Sequence, residues 1–479
     1  MRTMIANLAA RRQVLIPAIL SGVLVAPTWL AGQAPAPRPG PAAGEPTAPR
    51  VNSERHAAAL AAGSRALHYC GGLFTAGMSL EQIAATDRSP AAAATLKTDI
   101  DRDGKAVAVT YHDDMPPRIA AWRPSLGCTQ LPIGATLDAV KLLPRLPAGV
   151  HHPNFDERPW PLGDANATVS LAPAPHGALD AVVARAFDGS TYRGSTWGVV
   201  VIKDGRIVAE RYENGFNPHM PARTQSMCKS LAATVVGVAV KKGLVDIHKK
   251  APLAEWRRPG DPRGEITIND MLHMASGLYT ENAGDPQPEL YQGGAAAAER
   301  SALNIMDSRP GSRFVYAGSD TILSVRAVRQ AVNDDPRFWR LPFEELLWKI
   351  GMTRTIPETD WNGDFMMSGQ CWSTARDFGR FGLLYINNGV WNGERILPDS
   401  WAKYVSTPSP ANKAYGAQFW VYGGRDGLPA DAYSPNGAAG QYAMIVPSKG
   451  VIVVRRGLDR GPGFNITKFS ADVIAAMGL

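Results

Sequence analysis

Along the second half of the chain the spacing of apolar positions changes period several times. Trp197 to Ile202 and Arg206 to Tyr212 are β-rich runs joined by Lys203-Asp204-Gly205, whose Asp-Gly pair accommodates positive φ, so the pattern predicts an antiparallel hairpin. Leu231 to Val240 is strongly apolar and predicts a helix, and a second apolar helical run follows Tyr316. Near the end, Asn436-Gly437-Ala438-Ala439-Gly440-Gln441 leads into Tyr442 to Val446, a turn at Pro447-Ser448-Lys449-Gly450, and Val451 to Arg455. This reads as a glycine-rich strand start and another hairpin, followed by an amphipathic helix over Ile466 to Met477. Strands interrupted by a long helical block predict an α+β fold: an antiparallel β-sheet flanked by helices, with a mostly helical subdomain and a small N-terminal region.

The first half is organised differently. Arg2, Arg11 and Arg12 precede the apolar run Val14 to Leu30, and small residues follow at Ala31-Gly32-Gln33-Ala34, so residues 1–34 are read as an export signal. Its adjacent arginines fit a plain basic start or a twin-arginine signal, and an uncleaved signal is the one route to a membrane. Residues 35–52, rich in Pro, Ala and Gly, are expected to be a disordered tether. Residues 53–146 form an accessory region with an Ala-rich helical start and a β-like Ala106 to Tyr111, to which no chemistry is assigned. The proline-rich stretch 147–175 is expected to be an extended linker, and residues 176–479 to be the catalytic domain.

The candidate chemistry sits where the apolar helix begins. Ser226-Met227-Cys228-Lys229-Ser230 puts a hydroxyl and an amine three positions apart, on one helix face. A lysine whose charge is disfavoured by burial can take up the serine proton, which is the Ser-x-x-Lys arrangement of acyl-transfer enzymes. Alone, the pattern is also met by a Ser226 N-cap with a solvated Lys229. Tyr316, ninety positions on and just before a helical run, is a second candidate proton carrier.

Together with Asn214-Gly215-Phe216, with Ile266 to Leu272 through Ser276-Gly277-Leu278, and with Ser373 to Asp377 through Phe381-Gly382-Leu383, these residues resemble the β-lactamase-like serine hydrolases. That family holds class C β-lactamases, penicillin-binding D-alanyl peptidases, family VIII esterases and 6-aminohexanoate-dimer hydrolases, and the resemblance covers roughly residues 176 to 479. It implies a β-lactamase/transpeptidase-like fold. It further implies Ser226 as the acylated nucleophile, Lys229 as its proton acceptor, Tyr316 as the proton shuttle, and the N–H groups of Ser226 and Ala438 as the oxyanion hole. The family's third motif, a basic residue then Thr-Gly on an edge strand, aligns with Pro435-Asn436-Gly437, so the basic residue is missing; Asn436 and Gly437 would line the substrate strand, the glycine sparing substrate a clash. The family's Tyr-x-Asn is Tyr316-Ala317-Gly318 here. Both departures shift weight from β-lactams to a small-molecule ester or amide, the alternatives being a β-lactamase, a D-alanyl-D-alanine peptidase, or a catalytically silent peptidoglycan-binding or sensor protein. A neighbouring ammonium is expected to pull the Tyr316 phenol down.

Composition narrows this further. A 45% hydrophobic and 19% charged chain is ordinary for a globular protein, and removing three signal arginines takes the formal charge from +7 to +4. That charge, with no basic block interleaved with aromatics, argues against nucleic acid. No cofactor is expected, and no metal, since ligand spacing is absent and His151-His152 falls in the linker. In an exported chain Cys70 and Cys128 are expected to form a disulfide, the alternative being two buried thiols; Cys228 should point into the core and Cys371 pack as an ordinary apolar residue. Of Trp361, Trp372, Trp391, Trp401 and Trp420, one or two are expected near substrate. Asp360 is read as a loop residue or, more weakly, as part of the site.

Overall fold

The computed structural model describes residues 51–167, 176–280 and 288–479. The expected export signal, most of the tether and residues 168–175 of the linker lie outside the described residues.

In the N-terminal region α1 (Val51–Cys70) and α2 (Leu80–Thr86) precede a four-stranded antiparallel meander, β1 (Thr98–Asp101), β2 (Ala106–Val109), β3 (Arg118–Arg123) and β4 (Gly127–Gln130). Helix α2 starts where Ser79 and Gln82 form a capping box. The small face of α1, with Ala62, Ala66 and Cys70, lets the helix lie close on Val107, Val109 and Ala120 of the meander. Cys70 and Cys128 are at disulfide distance across that contact, with Cα atoms 6.1 Å apart. Trp372, far along the chain, sits in the same apolar cluster, the Cys128 N–H donates to Glu358 Oε1 (3.0 Å), and the Thr129 hydroxyl donates to the Thr359 carbonyl (2.8 Å). Residues 51–479 are accordingly one compact unit.

The segment before α3 (His176–Arg185) is tied down by its polar groups. The Trp160 indole N–H donates to the Gly205 carbonyl (2.7 Å), and Arg380 donates to the carbonyls of Pro161 and Gly163 while pairing with Asp164 (2.6 Å).

The rest of the chain alternates sheet and helix. Strands β5 (Thr196–Lys203), β6 (Arg206–Tyr212) and the short β7 (Ala222–Arg223) lead into α4 (Met227–Lys241). The helical block comprises α5 (Ile268–Leu272), α6 (Pro288–Tyr291), α7 (Ala297–Ala302), α8 (Gly318–Val332) and α9 (Asp335–Pro342). The return carries β8 (Ile356–Pro357), β9 (Cys371–Ser373), α10 (Ala375–Ile386), a small hairpin of β10 (Val390–Trp391) and β11 (Glu394–Arg395), and α11 (Trp401–Ser406). It ends in β12 (Trp420–Val421), β13 (Tyr433–Ser434), β14 (Asn436–Gly437), β15 (Gln441–Val446), β16 (Val451–Gly457) and α12 (Ile466–Ala476).

Seven strands make the main sheet, ordered β12-β13-β15-β16-β5-β6 with β14 also paired to β15. Its strands read as nearly unbroken apolar runs because both faces are covered. Val199, Val201, Val451 and Val453 meet α3 and α12, whereas Val200, Ile202, Ile452 and Val454 face the larger core built with α4, α8 and α10. The sheet is antiparallel throughout, with mixed helices around it, as the α+β reading requires. A second sheet, β7-β9-β8, leads into α4 through β7 and packs Trp372 and Ile356 into the apolar cluster of the N-terminal region.

Candidate active site

The turn into α4 is fixed from both sides. The Thr224 N–H donates to the Cys371 carbonyl (2.9 Å), and Gln225 takes a left-handed backbone conformation (φ 51°), one that costs a non-glycine residue about 1 kcal/mol or more. Ser226 follows as the N-cap residue, at the positive end of the helix dipole. One turn on, Lys229 is only 4% exposed, and its Nζ lies 3.3 Å from Ser226 Oγ while donating to the Ser368 carbonyl. Burial pulls this amine down from 10.5 to about 7, so near neutrality much of it is uncharged and able to accept a hydroxyl proton. Cys228 and Cys371 correct the sequence reading. Because β9 runs beside β7, the two sulfurs meet at disulfide distance, with Cα atoms 5.7 Å apart, rather than packing as separate apolar side chains.

Tyr316 arrives from the segment that ends at the start of α8. That helix is anchored by Asp320, which accepts from the Ser276 hydroxyl (2.7 Å) and is pushed up to about 7 by burial. The Ser276-Gly277 motif seen in the sequence thus holds the base of the tyrosine-bearing segment. The Tyr316 phenol is close enough to Ser226 for the serine hydroxyl to act on its pKa, and its ring centre lies 4.9 Å from Lys229 Nζ and packs against Tyr415 and Trp420. The expected downward shift of Tyr316 does not occur: burial pushes the phenol up to about 12. The same desolvation that strips Lys229 of its charge removes the cation that would have stabilised a phenolate. In the resting site the proton therefore belongs on Tyr316, and Lys229 is the better base.

Strand β14 presses against the turn that carries Ser226. A Cβ at Gly437 would stand 2.2 Å from the Thr224 carbonyl oxygen and 3.1 Å from Gln225 Cβ, so glycine here permits contact between strand and turn. Ala438, the next residue, lines the same cleft as Ser226 and Lys229. Asn436, on the same short strand, donates its amide to the Tyr422 hydroxyl and is not among the residues that line the cleft.

The cleft has a volume of about 490 Å³, and part of its wall comes from the N-terminal region: Leu67 and His68 of α1, Met78, and Thr86 at the end of α2. Sequence reasoning missed this wall, as it missed Ser368, which acts through a backbone carbonyl, and Tyr291, whose hydroxyl bonds Ser368 Oγ. Tyr291 also accounts for Gly318. A Cβ there would lie 3.0 Å from the Tyr291 hydroxyl, so the tyrosine fills space that a side chain at 318 would need. Among the tryptophans, Trp372 lines the cleft and Trp420 backs Tyr316, while Trp391 and Trp401 are core. Asp360 is structural: it accepts from the N–H groups of Ala297 (2.8 Å), Asn362 (3.0 Å) and Asp364 (2.9 Å).

The β-lactamase family model matches residues 183–455, more than half of the chain and the span that holds Ser226, Lys229 and Tyr316. The chain belongs to the β-lactamase family. It is similar to the 6-aminohexanoate-dimer hydrolase of Paenarthrobacter ureafaciens, 24% identical over 285 residues that cover 53% of this chain and 71% of that protein. Among solved structures, a family VIII carboxylesterase superposes with a TM-score of 0.52 at 14% identity, covering 64% of this chain and 97% of that one. A penicillin-binding protein homologue from Caulobacter crescentus gives 0.50 at 14% identity, covering 65% and 98%. These likenesses establish the β-lactamase/transpeptidase-like fold and a hydrolase family.

Proposed function

We propose that this β-lactamase-family chain is an exported serine hydrolase that cleaves carboxylic esters or amides through an acyl-enzyme on Ser226. The observation that carries the reading is a buried Lys229 amine 3.3 Å from Ser226 Oγ, lowered to about 7 by desolvation. Neutral Lys229 takes the Ser226 proton as Oγ attacks the carbonyl carbon. The developing oxyanion is met by the N–H groups of Ser226 and Ala438, the first of them at the positive end of α4. Tyr316 gives its phenolic proton to the departing oxygen or nitrogen and is reprotonated from the Lys229 ammonium, which stands over its ring. A water then repeats the sequence on the acyl-enzyme, returning Ser226 its proton and releasing the acid.

Two departures favour esters and linear amides over β-lactams: Pro435 stands where a cationic side chain would meet the lactam carboxylate, and Tyr291 occupies the space beside Gly318. The 6-aminohexanoate-dimer hydrolase likeness points the same way, towards a linear substrate. Export is supported by the basic-apolar N-terminal sequence and by two cysteine pairs at disulfide distance.

Intact mass after incubation with a fluorophosphonate tests the reading. A single adduct in the wild type that disappears in Ser226→Ala is the expected result, and a panel of p-nitrophenyl esters, anilides and nitrocefin then ranks the substrate classes. Folded protein that takes no label would instead indicate a silent binding protein of this fold.

A further inference from the structure

The cleft contains a cation that the acyl-transfer steps do not use. Arg223, on β7, lines it together with Ser226, and among the described residues its guanidinium has neither a hydrogen-bond nor an ion-pair partner. Other arginines of the catalytic domain are tied: Arg376 to Glu210 (2.7 Å), Arg380 to Asp164 (2.6 Å) and Asp377 (3.0 Å), and Arg455 to Asp459 (2.7 Å). A planar fork of five donors left open towards a cavity is suited to a carboxylate.

The surrounding charges leave that fork to an incoming anion. Asp87, the acidic residue among those lining the cleft, already faces Arg65 (3.1 Å) and accepts from the Ser89 N–H (2.8 Å). Glu358, behind Trp372, spends Oε1 on the Cys128 N–H and the Trp372 indole (3.1 Å); burial pushes it up to about 7 although the charge of Arg223 pulls the other way, and the two form no ion pair, so the guanidinium acts on it only at a distance. His68, on the same wall, is held below its ordinary value by burial and adds little charge. Arg88, exposed at the cleft, adds a second positive charge. The wall concerned is the one carrying Trp372, the register partner of Arg223, and not β14, where the residue aligned with the family's cation is Pro435.

We propose that Arg223 anchors an anion subsite, so that the enzyme takes esters or amides bearing a carboxylate a few bonds from the scissile carbonyl. The short spacing follows from the chain: only Thr224 and Gln225 lie between Arg223 and Ser226, and three Cα–Cα steps limit the two Cα atoms to about 10 Å. This inference rests on the serine-hydrolase reading above and adds the charge of the substrate to it.

Paired substrates test it. On the acyl side, p-nitrophenyl hemiadipate is compared with p-nitrophenyl 6-methylheptanoate, which replaces the carboxylate by an isopropyl group; on the leaving-group side, 3-carboxyphenyl butyrate is compared with phenyl butyrate. The quantity read is the ratio of kcat/KM, anionic over neutral, in wild type, Arg223→Ala, Arg223→Gln and Arg223→Lys. For at least one pair the ratio should fall about ten- to hundredfold in Arg223→Ala and Arg223→Gln, be partly kept in Arg223→Lys, and shrink in the wild type as salt is raised. A purely structural arginine would lower both members of a pair alike and leave the ratio unchanged. An unchanged ratio for both pairs, or a fluorophosphonate-reactive enzyme that turns over neither pair, overturns the subsite. Loss of fluorophosphonate labelling in the wild type removes the hydrolase reading itself, so the two failures are distinct.

Discussion

Lowering the pH should switch Ser226 off through Lys229. With the amine at about 7 instead of 10.5, about three quarters of it is neutral at pH 7.5, against about one part in a thousand for a solvated lysine. Burial thus raises the concentration of competent base several hundredfold before any other effect is counted. Below pH 7 the neutral fraction falls tenfold per unit, to about 10% at pH 6 and about 1% at pH 5. Tyr316, pushed up to about 12, keeps its proton over the whole accessible range and adds no alkaline fall. The assay is kcat/KM for a neutral p-nitrophenyl ester from pH 5 to 9, with the second-order rate constant of fluorophosphonate labelling measured on the same samples and circular dichroism to confirm that the fold persists at pH 5. Both curves should rise with unit slope and level off near pH 7, and Lys229→Ala should be slow and flat. A break near pH 10, or a flat profile from pH 5 to 7 in folded enzyme, would refute the assignment of Lys229 as the base.

Two further outcomes follow from the same geometry. A lysine whose folded pKa lies below its unfolded value binds fewer protons when folded, so stability is lost as pH falls from 10.5 towards 7, and below pH 7 the whole penalty, about 5 kcal/mol at most, is in force. Lys229→Met removes that penalty but leaves the buried Ser368 carbonyl unpartnered, at about 1–3 kcal/mol, so the variant should be inactive yet more stable by about 2 kcal/mol in urea at pH 6. The gain should vanish by pH 9.5, and an equal gain at both pH values would contradict the linkage. Gly437→Ala forces β14 away from the Thr224 carbonyl, which a Cβ would approach to 2.2 Å; a displacement of about 1 Å at the Ala438 amide should cost about a hundredfold in kcat with little change in KM. Wild-type kcat in that variant would show that the Ala438 N–H plays no part.

The fold was legible where local pattern and tertiary environment agree. The hairpin of β5 and β6 was visible through Asp204-Gly205, with Asp204 at φ 47° and Gly205 at φ 82°, and the helix after Ser226 through its unbroken apolar run. Ser226, Lys229 and Tyr316 were legible because an i, i+3 pair at a helix start is local, and the structure brings the distant tyrosine to the same hydroxyl. What escaped were effects of burial and of the third dimension. The direction of the Tyr316 shift depends on how far Lys229 is desolvated, which residue types alone do not state. The Cys228 pairing depends on β9 running beside β7, a contact between segments 143 residues apart.

The N-terminal region makes the same point for specificity. Its sequence carries no catalytic residue type in a telling pattern, and it was left without a role. Yet Leu67, His68, Met78 and Thr86 stand in the wall of the cleft with Ser226, and they lie outside the span 183–455 that the family shares. On the proposed reading the acyl-transfer groups come from within the span that the family model matches, while part of the cleft wall comes from a segment outside it. Substrate preference should therefore respond to changes in α1 and α2 that leave Lys229, and with it the pH profile, untouched. Leu67→Ala enlarges the cleft by several methylene volumes without touching a proton carrier, so it should favour bulkier acyl groups while the break near pH 7 stays in place. A shift in that break would mean that α1 sets the desolvation of Lys229 as well as the shape of the pocket.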